Sequence, residues 1–310
     1  MRNNLVKVFC DEAEKNKDLI FVSADLGYNV LNKIYDKHPN QYVNVGICEQ
    51  NMTSIAAGLA LSGKCVFTYS IGSFSTLRCL EQIRNDVCYH NANVKIVALA
   101  AGFAYGVLGM SHHATEDIAA MKVLPNMTVF SPCDPIETRA VTRAAISINT
   151  PCYIRIGRGG EQDIHEDEDF ERKFVIGKAY KLYDGEDGCI FSTGAITMEA
   201  KMAVLKLKEK GLNFSLYSFP TIKPIDIETI THCASIFKSI ITIEEHQVYG
   251  GFASTVSDVI SSLNDINVKI IRIGMKDVFT STVGSTNYLR KYYEMDSNYI
   301  IKICEESYNE

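Results

Sequence analysis

The sequence predicts an α/β chain of two doubly wound domains, a parallel-sheet domain over residues 1–165 and a smaller α/β domain over 175–310. Three observations carry this reading. Apolar runs of strand length alternate with segments whose apolar residues recur every three or four positions, the pattern of a parallel sheet covered by helices on both faces. The alternation stops at a polar, acid-rich stretch from Glu161 to Asp169 and then restarts. The length, 310 residues, suits roughly two ordinary domains.

Taken in order, DLIFVSADL is the first strand and VNVGI the second. EQNMTSIAAGLALS follows at once, helical in period and rich in alanine. KCVFTYSI is β-branched and aromatic, hence a strand. In FSTLRCLEQIRNDVCYH, Leu77, Leu80, Ile83 and Val87 stand at helical spacing, which predicts a helix from Phe74 to His90. VKIVALAA is a fully apolar strand, HATEDIAAMKVL a short helix and MTVFSP a strand. In DPIETRAVTRAAISI, Asp134 is the predicted N-cap, Pro135 the first helical residue and Glu137 the side chain that reaches back. CYIRIGR closes the first unit. The acid-rich stretch reads as a solvated linker rather than a cation site. Beyond it, CIFSTGAIT, FSLYSF, SIITIEEH and VKIIRIG are strands separated by helices, and GGFASTVSDVISSL opens on two glycines and continues as a helix.

Composition excludes several classes. Apolar residues make up 46% and charged residues 22%, enough for a core and too apolar for disorder. The formal net charge is −6, which argues against a general nucleic-acid binder. None of the 10 cysteines forms a C-x-x-C pair, so a zinc ribbon or a thioredoxin-type site is not expected. Most of them lie in apolar runs and read as small buried hydrophobes of a reducing compartment. The first residues hold no apolar h-region before their first acids, so no signal peptide is expected and the expected location is cytoplasmic. Residues Ile96 to Thr115 carry no formal charge, but Gly102, Gly106, Gly109 and a His-His pair make them a buried strand and a glycine-rich loop rather than a membrane span.

Ligands of parallel sheets bind beyond the carboxyl ends of strands, so residues there are the candidates for chemistry. Glu49 begins the helix after VNVGI; it is either a general acid or a first-turn glutamate that favours the helix dipole. His112 and His113 occupy the loop after VKIVALAA and suit acid/base work or hydroxyl recognition as well as capping. Arg158, among glycines after CYIRI, suits an anion or a plain surface loop. Phe74 is either core or a platform for an aromatic ligand. Neither a P-loop nor a G-x-G-x-x-G turn after a strand is present, which suggests half of a phosphate-binding site.

The stretch VNVGICEQNMTSIAAGLALSGKCVFTYSIGSF resembles the pyrimidine-binding domain of transketolase-like thiamine diphosphate enzymes. The resemblance continues through LPNMTVFSPCDPIE, CYIRIGRGG and TIEEHQVYGGFAS and so covers nearly the whole chain. It implies that Glu49, in G-I-C-E-Q, hydrogen-bonds N1′ of the cofactor's aminopyrimidine and promotes the tautomer that takes the thiazolium C2 proton. It implies that Phe74 stacks on the pyrimidine, that Ile71 belongs to the same wall, and that Asp25, in SADL, stands near the cofactor. His112 matches the histidine that contacts an oxygen of the donor, with His113 beside it as a further substrate-binding candidate. Arg158 matches an arginine that binds the substrate's phosphate, and Arg2 a second one.

Where transketolases read G-E-D-G-P-T-H, this chain reads GVLGMSH, with Leu108 in place of the aspartate that reads a donor hydroxyl. Ala100 replaces a phosphate-contacting histidine, and Asn29, a substrate-binding candidate, replaces a phosphate-contacting serine. The domain that holds the diphosphate through a divalent metal has no counterpart here. The resemblance therefore implies the C-terminal subunit of a split enzyme that shares thiamine diphosphate with a separate N-terminal subunit, which mainly holds the Mg2+ or Ca2+. It implies ketol transfer between sugars, phosphorylated or otherwise anionic, and a two-fold α2β2 heterotetramer. The Ala-rich helix after Glu49 suits a close symmetric contact, or equally packing on its own sheet. Two alternatives stand beside it: the beta subunit of a 2-oxoacid dehydrogenase or pyruvate-using synthase, and a non-catalytic regulatory subunit.

Overall fold

The continuous apolar runs fold as strands covered on both faces. A computed structural model describes residues 1–167, 169–264 and 266–309. The strands of the first half are β1 (Leu19–Ser23), β2 (Tyr42–Asn44), β3 (Cys65–Ile71), β4 (Val94–Leu99), β5 (Thr128–Phe130) and β6 (Cys152–Ile156). The second half adds β7 (Tyr180–Tyr183), β8 (Gly188–Ser192), β9 (Phe214–Ser218), β10 (Thr221–Lys223), β11 (Ser239–Gln247) and β12 (Lys269–Met275).

The first sheet has the order β10-β5-β6-β4-β3-β1-β2 and is parallel apart from β10, which runs antiparallel to β5. Every residue of β1, β3, β4 and β6 is buried, because helices lie on both faces. On one face Phe21, Phe67, Tyr69 and Ile154 pack against Leu5, Phe9 and Val141, from the helices Arg2–Ala13 and Pro135–Ser147. Phe9 meets Phe21 and Phe67 edge to face at centroid distances of 5.0 and 5.5 Å. On the other face Ile20, Val66 and Ile96 meet Met52, Ala56, Ala57 and Ala60 of the helix Glu49–Leu61. These small residues thus pack on their own sheet.

The second sheet has the order β12-β11-β8-β9-β7, with only β7 antiparallel among these strands. The helices Thr197–Glu209 and Ser297–Asn309 cover one face, and Ile227–Ile236 and Phe252–Ser261 the other. One apolar cluster runs from Met121 and Val129 of the first domain into Phe191, Phe219 and Phe252 of the second. β10 crosses the same boundary, leaving the second domain's chain to extend the first sheet.

Three segments depart from the pattern read in the sequence. Residues 74–90 are not one helix: short turns end in a π-turn over Ile83–Cys88. Thr76 Oγ1 donates to Gly72 O at 2.6 Å and Ser75 Oγ to Ile71 O at 3.1 Å, so hydroxyls take carbonyls that a regular helix would use. The second strand ends at Asn44, because Gly46 turns the chain away at φ 78°. The acid-rich stretch is partly tied down. Glu161 Oε2 accepts from the chain's amino terminus at 3.0 Å, and Asp134 Oδ2 accepts from the Ile164 and His165 amides at 2.8 and 3.0 Å. Glu168, within that stretch, lies outside the described residues. Asp134 caps its helix through the Glu137 amide at 2.7 Å, whereas Glu137 reaches back one residue further than expected, to the Cys133 amide.

Candidate functional site

Strand order reverses between β1 and β3, and crevices at such reversals bind ligands. Asp25 follows β1, Glu49 follows β2, Phe74 follows β3, His112 follows β4 and Arg158 follows β6. All five stand beyond the carboxyl edge of one sheet.

Glu49 is the first residue of its helix, where the dipole favours a carboxylate. Its side chain is only 4% exposed. Oε2 accepts from Arg78 Nη1 at 2.8 Å, and Oε1 accepts from Ser70 Oγ at 3.4 Å. A chain of stacked groups leads away from this carboxyl. The Arg78 guanidinium lies 4.4 Å above the Phe74 ring, and Phe74 meets His112 at 5.1 Å. His112 meets Tyr105 at 6.2 Å, and Arg158 lies 5.2 Å from the Tyr105 ring. Ile71 ends β3 beside them, buried.

The loop that carries His112 is shaped by its glycines and held by the second domain. Gly102 and Gly109 have φ of 57° and 77°, and a bridge pairs Gly102 with Ala114. A Cβ on Gly102 would come within 2.2 Å of Glu245 Oε1. That oxygen accepts from the Phe103 amide at 2.6 Å, while Glu245 Oε2 accepts from Arg290 Nε at 2.5 Å. Thr286 Oγ1 donates to Phe103 O, and the Gly284 amide to Gly106 O.

His113 is buried among these contacts and not aligned with His112. Its Nδ1 pairs with Thr280 Oγ1 at 2.8 Å and its Nε2 with Gly106 O at 3.1 Å. Burial pushes its pKa below the usual histidine value. The carbonyl requires Nε2 to carry the proton, so Nδ1 accepts from the threonine.

Asp25 adopts φ 52° and is held by Asn44, which accepts from the Asp25 amide at 3.0 Å and donates to Asp25 Oδ1 at 2.9 Å. Asp25 and Asn44, with Tyr28, Tyr35 and Tyr42, line a recess of about 410 Å³. Asn29, at φ 63°, is exposed. Arg158 opens onto a different space, a cavity of about 520 Å³ between the domains that Glu161, Glu199 and Arg290 also line. Arg2 is half-buried and lies within electrostatic reach of the Tyr69 hydroxyl.

Arg78 and Tyr105 were missed in the sequence. Arg78 follows Phe74 by four residues, a spacing that places a guanidinium over a ring even on a distorted helix. Nothing in the sequence marked Tyr105. Among the described residues, the one cluster with three groups able to hold a metal is Cys133, Glu137 and His165. Its groups already bond one another, with Glu137 Oε1 2.8 Å from His165 Nε2.

Comparison with known proteins gives a consistent result. Residues 1–160 match the family described as "Transketolase, pyrimidine binding domain", and 177–300 match "Transketolase, C-terminal domain". The "putative transketolase C-terminal section" of Methanocaldococcus jannaschii is 40% identical over 308 residues, 99% of this chain and 96% of that one. One of the subunits of the apulose-4-phosphate transketolase of Phocaeicola vulgatus is 37% identical, and the match covers 99% of each chain. A solved structure, "Split gene transketolase, inactive beta4 tetramer", superposes with a TM-score of 0.87 at 32% identity, covering 99% of this chain and 97% of that one.

Proposed function

The chain belongs to the transketolase family as a subunit with its pyrimidine-binding and C-terminal domains, and we propose that it works with a separate N-terminal subunit to transfer a two-carbon ketol unit between anionic sugars. The observation that carries this reading is a buried carboxyl, Glu49, beside a half-exposed ring, Phe74, at the strand reversal of the first sheet.

These residues fit the pyrimidine half of thiamine diphosphate. A planar ring with a basic nitrogen finds an aromatic face in Phe74, an apolar wall in Ile71 and a carboxyl in Glu49. They do not fit the diphosphate half: the one metal-capable cluster among the described residues, Cys133, Glu137 and His165, follows β5 and β6, across β4 and β3 from the strand reversal, and its groups bond one another. The partner subunit is therefore assigned the diphosphate and its Mg2+ or Ca2+. When bound, the cofactor supplies the nucleophilic carbon. Glu49 holds and returns the proton at N1′, and Asp25 stands near the cofactor. His112 faces an oxygen of the donor. Arg158, at the Tyr105 ring, and Arg2 hold its anionic end, and Asn29 contacts the substrate.

The Phocaeicola vulgatus relative acts, by its name, with a ketose phosphate, which supports a phosphorylated substrate here. Leu108 and Met110 leave exposed apolar surface on the His112 loop. That surface favours a donor with fewer hydroxyls, and it supports the second reading, a pyruvate-using enzyme. The assembly proposed is α2β2, in the cytoplasm; no helix among the described residues is long and apolar enough to cross a membrane, and all ten cysteines are free. Co-expression with a diphosphate-binding subunit, followed by assays with ketose phosphates and with pyruvate, tests the reading. Turnover of a ketose phosphate with an aldose acceptor is expected. Carbon dioxide release from pyruvate without ketol transfer would replace it with the second reading.

A further inference from the structure

One guanidinium occupies both features that the cofactor's ring needs. Arg78 Nη1 is 2.8 Å from Glu49 Oε2, and its Cζ stands 4.4 Å above the Phe74 ring. A guanidinium is planar, delocalised and cationic, with N–H groups in its plane and a π-face above it. It thus resembles an aminopyrimidine that donates to a carboxylate while stacked on an aromatic ring. We infer that Arg78 is a built-in placeholder, which fills the pyrimidine seat of the free subunit and must swing out when the cofactor enters. This rests on the reading of the site as a thiamine diphosphate site.

The surroundings of Arg78 suit a movable group. Its side chain is 47% exposed, so it can leave toward solvent. It makes one ion-pair contact to Glu49 rather than a two-pronged one. It stands on a short 3-10 turn, Leu77–Cys79, between Thr76 at φ −115° and Cys79 at φ −104°, so no regular helix fixes its direction. The same residue explains how a carboxyl as buried as Glu49 survives without a cofactor. An unpaired charge there would be costly, and Arg78 neutralises it until the ring arrives.

The test is thiamine diphosphate binding to the complex with the co-expressed diphosphate-binding subunit, measured with titration calorimetry in the presence of Mg2+. Removing a competitor tightens binding, whereas removing a structural arginine weakens it. Arg78→Ala should therefore lower the apparent Kd by roughly three- to thirtyfold, the combined scale of one ion pair and one cation–π contact. Guanidinium ion at millimolar concentration should weaken binding to Arg78→Ala and leave the wild type unaffected. Arg78→Lys, which keeps the charge but cannot lie flat on the ring, should fall between. Circular dichroism checks that the variants fold; should Arg78→Ala not fold, Arg78→Lys alone still decides, by binding tighter than the wild type or not. Equal or weaker binding in the variants overturns the placeholder alone. No binding by the wild-type complex overturns the cofactor reading and the placeholder with it.

Discussion

Two glutamate–arginine pairs stand in this chain, and they are built differently. Glu49 and Arg78 share one bond, with the acid 4% and the base 47% exposed. Glu245 and Arg290 are closed, with the acid 6% and the base 9% exposed. Glu245 also takes the Phe103 amide, Arg290 also reaches Glu199 Oε1 at 3.4 Å, and Glu199 Oε2 accepts the Ser297 amide at 2.9 Å. Every polar atom named in the second pair has a partner, so the pair holds parts in place. What it holds is the loop that carries His112. The first pair has one open side, which is what an exchangeable ligand site requires. Burial and the number of bonds, rather than residue type, separate scaffold from site.

Breaking the closed pair should give the largest loss of stability. Glu245→Ala leaves Arg290 charged and buried, and losses of this kind are about 3–5 kcal/mol. Denaturant unfolding measures it. A loss under about 1 kcal/mol would mean that this network is no latch on the loop that carries His112 and His113.

Arg158→Ala should change recognition and leave stability nearly untouched, because the residue is exposed and, among the described residues, rests only on the Tyr105 ring. A charge-assisted contact to an anion is worth about 1.5–3 kcal/mol, so KM for a phosphorylated ketose should rise roughly ten- to 150-fold. An unphosphorylated ketose should show little change. Equal effects on both substrates would remove Arg158 from anion binding.

The smallest expected effect is a pH slope from the latch. The unfolded chain takes up a proton on His113 at the ordinary imidazole pKa, near 6.5, while the buried ring in the fold resists it. Stability from this group is therefore present above about pH 6.5 and declines as pH falls below that value. His165, whose pKa is raised through Glu137 against the effect of burial, contributes with the opposite sign, so a variant is needed to separate them. His113→Asn should flatten the acid-side decline in melting temperature. An unchanged slope would detach His113 from it.

Much of this arrangement is legible in the amino-acid sequence alone. Strands alternating with helices place Glu49, Phe74, His112 and Arg158 at strand ends, and parallel strands bring those ends to one edge. The irregular parts were not legible. The segment from Phe74 to His90 has helical apolar spacing, but Ser75 and Thr76 hydroxyls compete locally for carbonyls, and that competition broke the helix. β7 and β10 are short antiparallel edge strands with too few residues to show a period. The pairing of Glu49 with Arg78 depends on that broken helix, and the latch depends on the second domain folding back over the first. Neither can be read from local sequence.

The central claim is that Glu49 governs the proton at the cofactor's pyrimidine. Exchange of the thiamine diphosphate C2 proton for deuterium, followed by NMR in the complex with the diphosphate-binding subunit, reports on this without any substrate. Glu49→Gln keeps the shape but cannot cycle a proton. It should slow exchange by roughly 10²–10⁴-fold, the scale of a positioned acid or base, while the complex still folds and assembles. Exchange in Glu49→Gln within about twofold of the wild type would contradict the claim.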